Sequence, residues 1–252
     1  VFLQLDLSNK YFLDEMLQCC DGKFDYVFHL AAQTSGRVSE EDPSLDISSN
    51  CIGVAQIVKF CELKGEMLGH FPKLIFTSSM AVYGESQLPF TENGALNPSS
   101  TYGVSKIFGE KMASKYRAVG GDYCIARLFN CYGPYQDMNN DKQGMLSIFM
   151  EQAIRNKKFK VTGSLERTRD FVYVDDVVTI LANSDFLKQK YTTINVCSGI
   201  EITVRELIEK IGAKYNLAGD SLIVDQLGGH AGDMNRSLGD NTRLKKLMPS
   251  QS

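Results

Sequence analysis

The sequence predicts an α/β fold: a doubly wound parallel sheet, with a smaller mixed domain toward the C-terminus. Three observations carry this. Short apolar runs of strand length alternate with longer stretches of helical period. The runs are nearly continuous in apolar character, as strands covered on both faces require. The 252 residues suffice for one large domain or two small ones with a full core.

In chain order, "VFLQL" (1–5) reads as a strand. Ser8 can cap a helix that carries Phe12, Leu13, Met16 and Leu17. "DYVFHLAA" from Asp25 and "PKLIFTSS" from Pro72 read as buried strands. Between them "DISSNCIGVAQIVKFCELKG" from Asp46 reads as a helix with Ile52, Ala55, Ile57, Val58 and Cys61 along it. "VSKIFGEKMASKYRAV" from Val104 is a further helix, and "YCIARLFNCYG" from Tyr123 is one more strand. Composition turns loop-like at "GPYQDMNNDKQG" (133–144), an excursion from the sheet, and at "GGHAGDMNRSLGDN" (228–241). There is no internal repeat. A division follows, with 1–133 and 171–198 forming the sheet domain and 134–170 and 199–252 the smaller one. Sheets of this kind bind ligands beyond the carboxyl ends of their strands, so the residues after "HLAA", "FTSS" and "LFN" are the candidates.

Bulk composition narrows the class. Hydrophobic residues make up 43%, charged residues 23%, and the formal net charge is −3, with Lys and Arg scattered. That balance offers nothing to nucleic acid or an anionic membrane. Seven cysteines, an odd number without a CxxC pair, read as reduced and mostly buried, not as a disulfide frame or a metal site. With no signal peptide and no long apolar span, the expected place is the cytoplasm.

The chemistry starts at "TYGVSK". Tyr102 and Lys106 stand four apart, so on a helix they share a face. An ammonium near a phenol favours the phenolate and draws its pKa toward neutrality, which lets a tyrosine take a proton from an alcohol. The pattern alone decides little, because Y-x-x-x-K turns up by chance in roughly every second chain of this length. Its setting adds weight. "FTSSMAVYG" ends a strand with hydroxyls at Thr77, Ser78 and Ser79, where one of them could share the reacting proton. Alternatively, those serines satisfy backbone groups in the turn.

Taken in order, "HLAAQTS", "NCIG", "FTSSMAVYG", "NPSSTYGVSK", "RLFNCYGP", "RDFVYVDDVV" and "INVCSG" resemble the extended short-chain dehydrogenase/reductase superfamily, in its branch of nucleotide-sugar epimerases and dehydratases. Seven motifs cover most of the chain, and "YGPYQDMNNDKQGMLSIFM" with "GSLERTRDFVYVDDVV" is most similar to bacterial UDP-glucose 4-epimerase-type proteins. The resemblance implies a Rossmann-like sheet domain, bound NAD and a nucleotide-sugar substrate. It makes Tyr102 the catalytic acid/base, Lys106 its partner and ribose ligand, and Ser79 the active-site hydroxyl. It places Asp6, Leu7, Leu30, Ala31, Ala32, Thr34 and Phe129 on the cofactor. Asn130 and Arg169 go to the substrate diphosphate, where a guanidinium fork suits phosphate, with Asp233 and Arg236 on the nucleotide. Asn50 either orders the site through backbone bonds or is a buried helix-start amide.

Two departures from the family pattern are informative. The dehydratases carry an Asp–Glu pair after the active-site Thr, and the decarboxylases keep a Glu there. Here Met80 and Ala81 fill those places, and neither moves a proton. What remains needs one acid/base and a reversible hydride, which is epimerisation; the resemblance implies that it acts at C4 of a UDP-hexose. The alternatives are a reductase or 2-epimerase of the same superfamily, or an inactive binder of nucleotide sugar. Second, no G-x-x-G-x-x-G occurs. The motif order puts the first strand–helix–strand portion, about 50 residues by βαβ size, upstream of Val1, and catalysis depends on that pyrophosphate seat. A smaller departure is Gly229 and His230 where relatives carry arginines; His230 reads as a surface loop residue. The resemblance also implies a homodimer through "ISSNCIGVAQIVKFCELK" and "YGVSKIFGEKMASKYRAV".

Overall fold

The computed structural model describes residues 2–155, 157–217, 223–229 and 234–248, with the backbone alone at 223. Helix α1 (Phe12–Cys19) precedes strand β1 (Tyr26–His29). Two short helices, α2 (Gly36–Glu41) and α3 (Pro43–Asp46), lead through a π turn (Ile47–Ile52) into α4 (Gly53–Leu68). Strand β2 (Lys73–Ser79) ends in a 3₁₀ turn (Met80–Val82), followed by α5 (Thr101–Lys115), β3 (Tyr123–Leu128) and β4 (Asn130–Tyr132). Then come α6 (Met145–Arg155), β5 (Lys158–Thr162), β6 (Thr168–Tyr173), α7 (Val174–Ala182), α8 (Ser184–Lys188) and β7 (Thr192–Val196). The chain continues through β8 (Glu201–Thr203), α9 (Val204–Lys214), β9 (Ile223–Leu227) and α10 (Thr242–Leu247).

Strands β1, β2, β3 and β7 form one parallel sheet in that order. Alternation along β2 and β3 explains their apolar runs, whereas β1, expected to be buried, leaves Tyr26 and Phe28 exposed at the sheet edge, and Leu30 after it is exposed as well. Leu74, Phe76 and Ile125 face a core with Phe12, Val54, Ile57 and Phe60. Ile75, Cys124 and Ala126 face the opposite core, with Val177, Ile180 and Phe186. Each such large aliphatic or aromatic side chain contributes roughly 1.5–3 kcal/mol by leaving water. The register is flush at one end: Ser79 pairs with Leu128, and Leu128 with Val196. Three strand ends therefore open on one ledge. Two smaller sheets lie beyond it. In one, β6 pairs with β4 in parallel and β8 antiparallel; in the other, β5 pairs with β9. They share a third core built on Phe149, Phe159, Leu207 and Ile208.

Some expected elements differ. Residues 2–5 are not a strand. Their side chains alternate between exposed and half-buried, with Leu5 and Leu7 packing on the first core, but an extended segment becomes a strand only with a bonded neighbour. Ser8 does not cap α1. The Asp6 carboxylate takes its N–H (2.8 Å) and its hydroxyl (2.7 Å), and α1 starts at Phe12 without a side-chain cap. The single strand expected from Tyr123 divides at Phe129, whose N–H still reaches Val196 O (3.0 Å) before β4 joins the second sheet. Of the cysteines, Cys61, Cys124 and Cys197 are buried, Cys19 is exposed, and Cys20, Cys51 and Cys131 are half-buried. No helix among the described residues is long and apolar enough to cross a membrane.

Candidate active site

A cleft of about 710 Å³ opens where the strand ends meet the smaller sheets. Ser79, the last residue of β2, lies in it, and its Oγ accepts from Ala81 N (3.2 Å), which fixes the 3₁₀ turn. Tyr102 enters from the first turn of α5. That helix begins where Ser100 Oγ accepts from Gly103 N (3.1 Å), a side-chain N-cap. Gly103 permits the approach, since a Cβ there would stand 2.5 Å from Ala81 O. The helix start is thus pressed onto the turn that follows Ser79, which brings the Ser79 side chain near enough to the Tyr102 hydroxyl to act on its titration. One turn on, Lys106 is buried, donates to Thr77 O (3.0 Å), and lies 5.8 Å from the Tyr102 ring centroid.

The titration state differs from expectation. Desolvation pushes the Tyr102 phenol up to about 12; the Ser79 bond opposes this and the Asp46 charge adds to it. Burial draws Lys106 down to about 8, against the carboxylates of Asp46 and Glu110, which raise it. In this structure, loss of water around the phenol outweighs the opposing interaction with Ser79. His29, at the end of β1 and stacked on Phe76 at 5.7 Å, falls to about 4 through burial and the Lys106 charge.

Helix α5 is held to the sheet by a buried ion pair. Arg127 of β3 donates from Nε to Glu110 Oε1 (2.8 Å) and from Nη2 to Oε2 (2.7 Å). Ser78 Oγ donates to the same Oε1 (2.6 Å), and Arg127 Nη1 reaches Tyr83 Oη (2.9 Å). A second buried network lies on the other side of α5. Asn50, in the π turn, accepts from Gln33 N (2.9 Å) and donates to Gln33 O (3.0 Å), Asp46 Oδ1 (2.8 Å) and Ser105 Oγ (2.9 Å). Both readings of Asn50 meet here, a buried amide that also orders the loop after β1.

At the far end of the cleft sits Arg169, buried and drawn down to about 10 by desolvation and by the neighbouring Arg167 charge. Arg167 is also lowered by burial. Two cations sharing one partly dry wall favour a dianion between them. Asn130 donates to Asp170 O (2.8 Å) beside them. Asp170 is fully buried. Its carboxylate accepts from Ser198 N (2.9 Å), Ser198 Oγ (2.7 Å), Gly199 N (3.0 Å) and Gly239 N (3.1 Å), and burial still raises its pKa.

Of the residues expected from sequence, the cleft gathers Ser79, Tyr102 and Lys106, then Leu30, Thr34 and Phe129, and then Asn130 and Arg169. Others do not line it. Asp6 is exposed and bonded to Ser8. Leu7 packs toward Gly53, its Cβ within 3.2 Å of where a Gly53 side chain would start. Ala31 and Ala32 lie on the loop after β1, outside the lining. Arg236 is taken by Glu201 in a two-pronged ion pair (2.9 and 2.6 Å). Asp233 and His230 fall outside the described residues. Sequence reading passed over Arg167, Asp46 and the Glu110–Arg127 pair. Arg167 had a signal, because it stands two residues before Arg169 at the head of a strand, and so on the same face.

Comparison with known proteins agrees with this geometry. The model of the NAD dependent epimerase/dehydratase family matches residues 1–197. A UDP-glucose 4-epimerase of Mycolicibacterium smegmatis is 34% identical over 233 residues, 90% of this chain and 70% of that protein. The crystal structure of a UDP-glucose 4-epimerase from Thermotoga maritima with UDP-glucose superposes with a TM-score of 0.86 at 28% identity, covering 98% of this chain and 77% of the other. That of the Thermus thermophilus UDP-glucose 4-epimerase with NAD gives 0.84 at 28%, with the same coverage. The family match over most of the chain, the shared parallel sheet and the cleft at its strand ends lead to one statement: this chain belongs to the NAD dependent epimerase/dehydratase family.

Proposed function

We propose that this chain interconverts the C4 epimers of a UDP-hexose with NAD as its cofactor. The observation that carries the reading is the meeting of Ser79, Tyr102 and Lys106 on the strand-end ledge, beside a turn whose Met80 and Ala81 have no proton to move. NAD suits the donor set. The Lys106 ammonium has three N–H donors and gives one to Thr77, so it can also serve a ribose diol. Leu30, exposed just after β1, offers apolar surface for a flat ring, and the buried Phe129 backs the cleft wall. Bound there, NAD supplies a reversible two-electron acceptor.

The protein's own groups do the rest. Tyr102 takes the proton from the sugar hydroxyl and gives it back after the sugar has turned its other face. Ser79, bonded to the same hydroxyl, orients it. The Lys106 ammonium lowers the cost of the phenolate that forms when Tyr102 gives up its proton. Arg167, Arg169 and Asn130 hold the diphosphate and leave the sugar free to rotate. In this reading Asp6, Leu7, Ala31, Ala32 and Thr34 extend the cofactor side, and Asp233 and Arg236 the nucleotide side. Residues 1–133 with 171–198 serve the cofactor, and 134–170 with 199–252 the substrate.

The test is direct: incubation with UDP-glucose or UDP-galactose, with no added reductant, and separation of the products. Tyr102→Phe should lower turnover about 10²- to 10⁴-fold and leave the fold and UDP-sugar binding in place; undiminished turnover would end this assignment. A second reading, a nucleotide-sugar reductase, is favoured by one relative, a dTDP-4-dehydro-6-deoxyglucose reductase of Escherichia coli. It is 31% identical over 75% of this chain and 59% of that protein. Stoichiometric consumption of added NADH would select it, a C2 product would select a 2-epimerase, and binding without any product an inactive form. We also infer a cytoplasmic homodimer. Ile47, Ile52, Val104 and Phe108 leave apolar surface exposed on the π turn and α5, and sedimentation at twice the chain mass would support it.

A further inference from the structure

Asp46 closes α3, and its carboxylate is fully buried. Its hydrogen-bond partners are all neutral: Asn50 Nδ2 (2.8 Å) and Ser105 Oγ (3.1 Å) on Oδ1, Gln33 Nε2 (2.9 Å) on Oδ2. Neutral donors satisfy lone pairs but do not cancel charge. Lys106 presents the complementary case. It is a buried ammonium whose contacts are the Thr77 carbonyl and the rings of Phe76 (5.2 Å) and Tyr102 (5.8 Å), none of them anionic. Ser105, which reaches the Asp46 carboxylate (3.1 Å) and the Tyr102 carbonyl (2.8 Å), immediately precedes Lys106 on α5 and so brings Asp46 to the helical turn that carries the ammonium.

The other groups facing this spot leave the two charges to each other. Glu110, one turn further along α5, acts on Lys106, but Arg127 of β3 cancels its charge through two bonds. His29 of β1 is held neutral. Cys51 in the π turn has its thiol raised by burial and by Asp46, so it too is uncharged. Glu40 of α2 is exposed and accepts from Thr101 N (2.8 Å). The geometry points to Asp46 as the buried counter-charge of Lys106, a positioning residue that sets the pH at which the Tyr102–Lys106 pair works. The charge acts on both members in one sense. It favours the ammonium over the amine, and it disfavours the phenolate. Each group therefore titrates at a higher pH than it would without Asp46.

This rests on the epimerase reading only for its rate assay. Asp46→Asn keeps the size and removes the charge. In a plot of kcat against pH, both limbs should move toward acid together, by about one unit. Ser105→Ala loosens the same network with the carboxylate kept, and its profile should be lowered without moving. A profile lowered but unmoved in Asp46→Asn would reduce Asp46 to a structural group and overturn the proposal. A second measurement needs no turnover. Thermal unfolding is compared for the wild type, Asp46→Asn, Lys106→Met and the double variant. If the charges are partners, Asp46→Asn should cost much less in the Lys106→Met background than in the wild type. Equal cost in both backgrounds, or failure to fold in both, overturns the proposal. Absence of epimerase product with a clear coupling in the unfolding cycle would reject the activity and keep the pairing.

Discussion

Helix α5 delivers Tyr102 and Lys106, and Glu110 fixes that helix to the sheet. Replacing Glu110 by Met leaves the Arg127 guanidinium buried beside Tyr83, with its two charge-assisted bonds gone. Breaking one side of a buried ion pair costs about 3–5 kcal/mol, because the remaining charge is stranded away from water. Arg127→Met strands Glu110 in the same way, although the Ser78 hydroxyl still reaches it. The double replacement removes both charges. It forfeits the Ser78 and Tyr83 bonds, at about 1 kcal/mol each, but strands nothing. Each single variant should therefore melt about 10 °C below the wild type, at roughly 2–4 °C per kcal/mol for a chain of this size. The double should lie well above the sum of the two losses. The assay is a four-way urea or thermal unfolding cycle, read by circular dichroism, with turnover measured on the fraction still folded. Losses that simply add, leaving a coupling under about 0.5 kcal/mol, would refute the view that this pair anchors the helix.

Three further outcomes follow from the same physical account. His29 is drawn down to about 4, so between pH 6.5 and 4 the unfolded chain binds a proton that the folded chain refuses. Stability falls across that window by up to about 3 kcal/mol, and His29→Phe, which keeps the stack on Phe76, should flatten that part of a stability–pH curve. Arg169→Met should raise KM for a UDP-sugar about tenfold or more with a smaller change in kcat, and weaken inhibition by UDP in parallel; an unchanged KM would remove Arg169 from the diphosphate. Gly103→Ala places a Cβ 2.5 Å from Ala81 O, which must push α5 off the turn after Ser79. Turnover should drop more than stability does, whereas an equal loss in both would assign Gly103 to packing alone.

Much of this molecule can be read from its residues. Strands β2 and β3 carry apolar runs because both of their faces are covered, and that is visible in "LIF" and "YCIA"; β1 has the same composition in "YVFH" but leaves Tyr26 and Phe28 exposed. The Tyr102–Lys106 spacing survives because α5 is regular there and capped by Ser100. Other features were hidden for physical reasons. "VFLQL" has a strand's composition, but pairing is a property of neighbours and not of a segment. Ser8 has a cap's chemistry, yet the Asp6 carboxylate reaches it first. Asp46 and Glu110 occupy helical positions where charged residues normally face water, so their sequence gives no sign of burial, and Arg127, inside an apolar strand, gives no sign of its partner. The direction of the Tyr102 shift was out of reach for a related reason, since spacing reports which groups are near and says nothing about how much water is lost around them.

Asp170 carries one more consequence. Its four donors come from the bend after β7 and from Gly239, while the backbone on either side of Arg169 is bonded to residues 235 and 237. The stretch from Met234 to Asp240 is therefore a stone of the vault over the wall that carries Arg167 and Arg169, late in the sequence, just ahead of α10, and set in the middle in space. A protease that cuts ahead of it does not shorten a tail. It withdraws the Gly239 donor from a buried anion, unseats Asn130 and Arg169 together, and turns a local nick into loss of the binding wall.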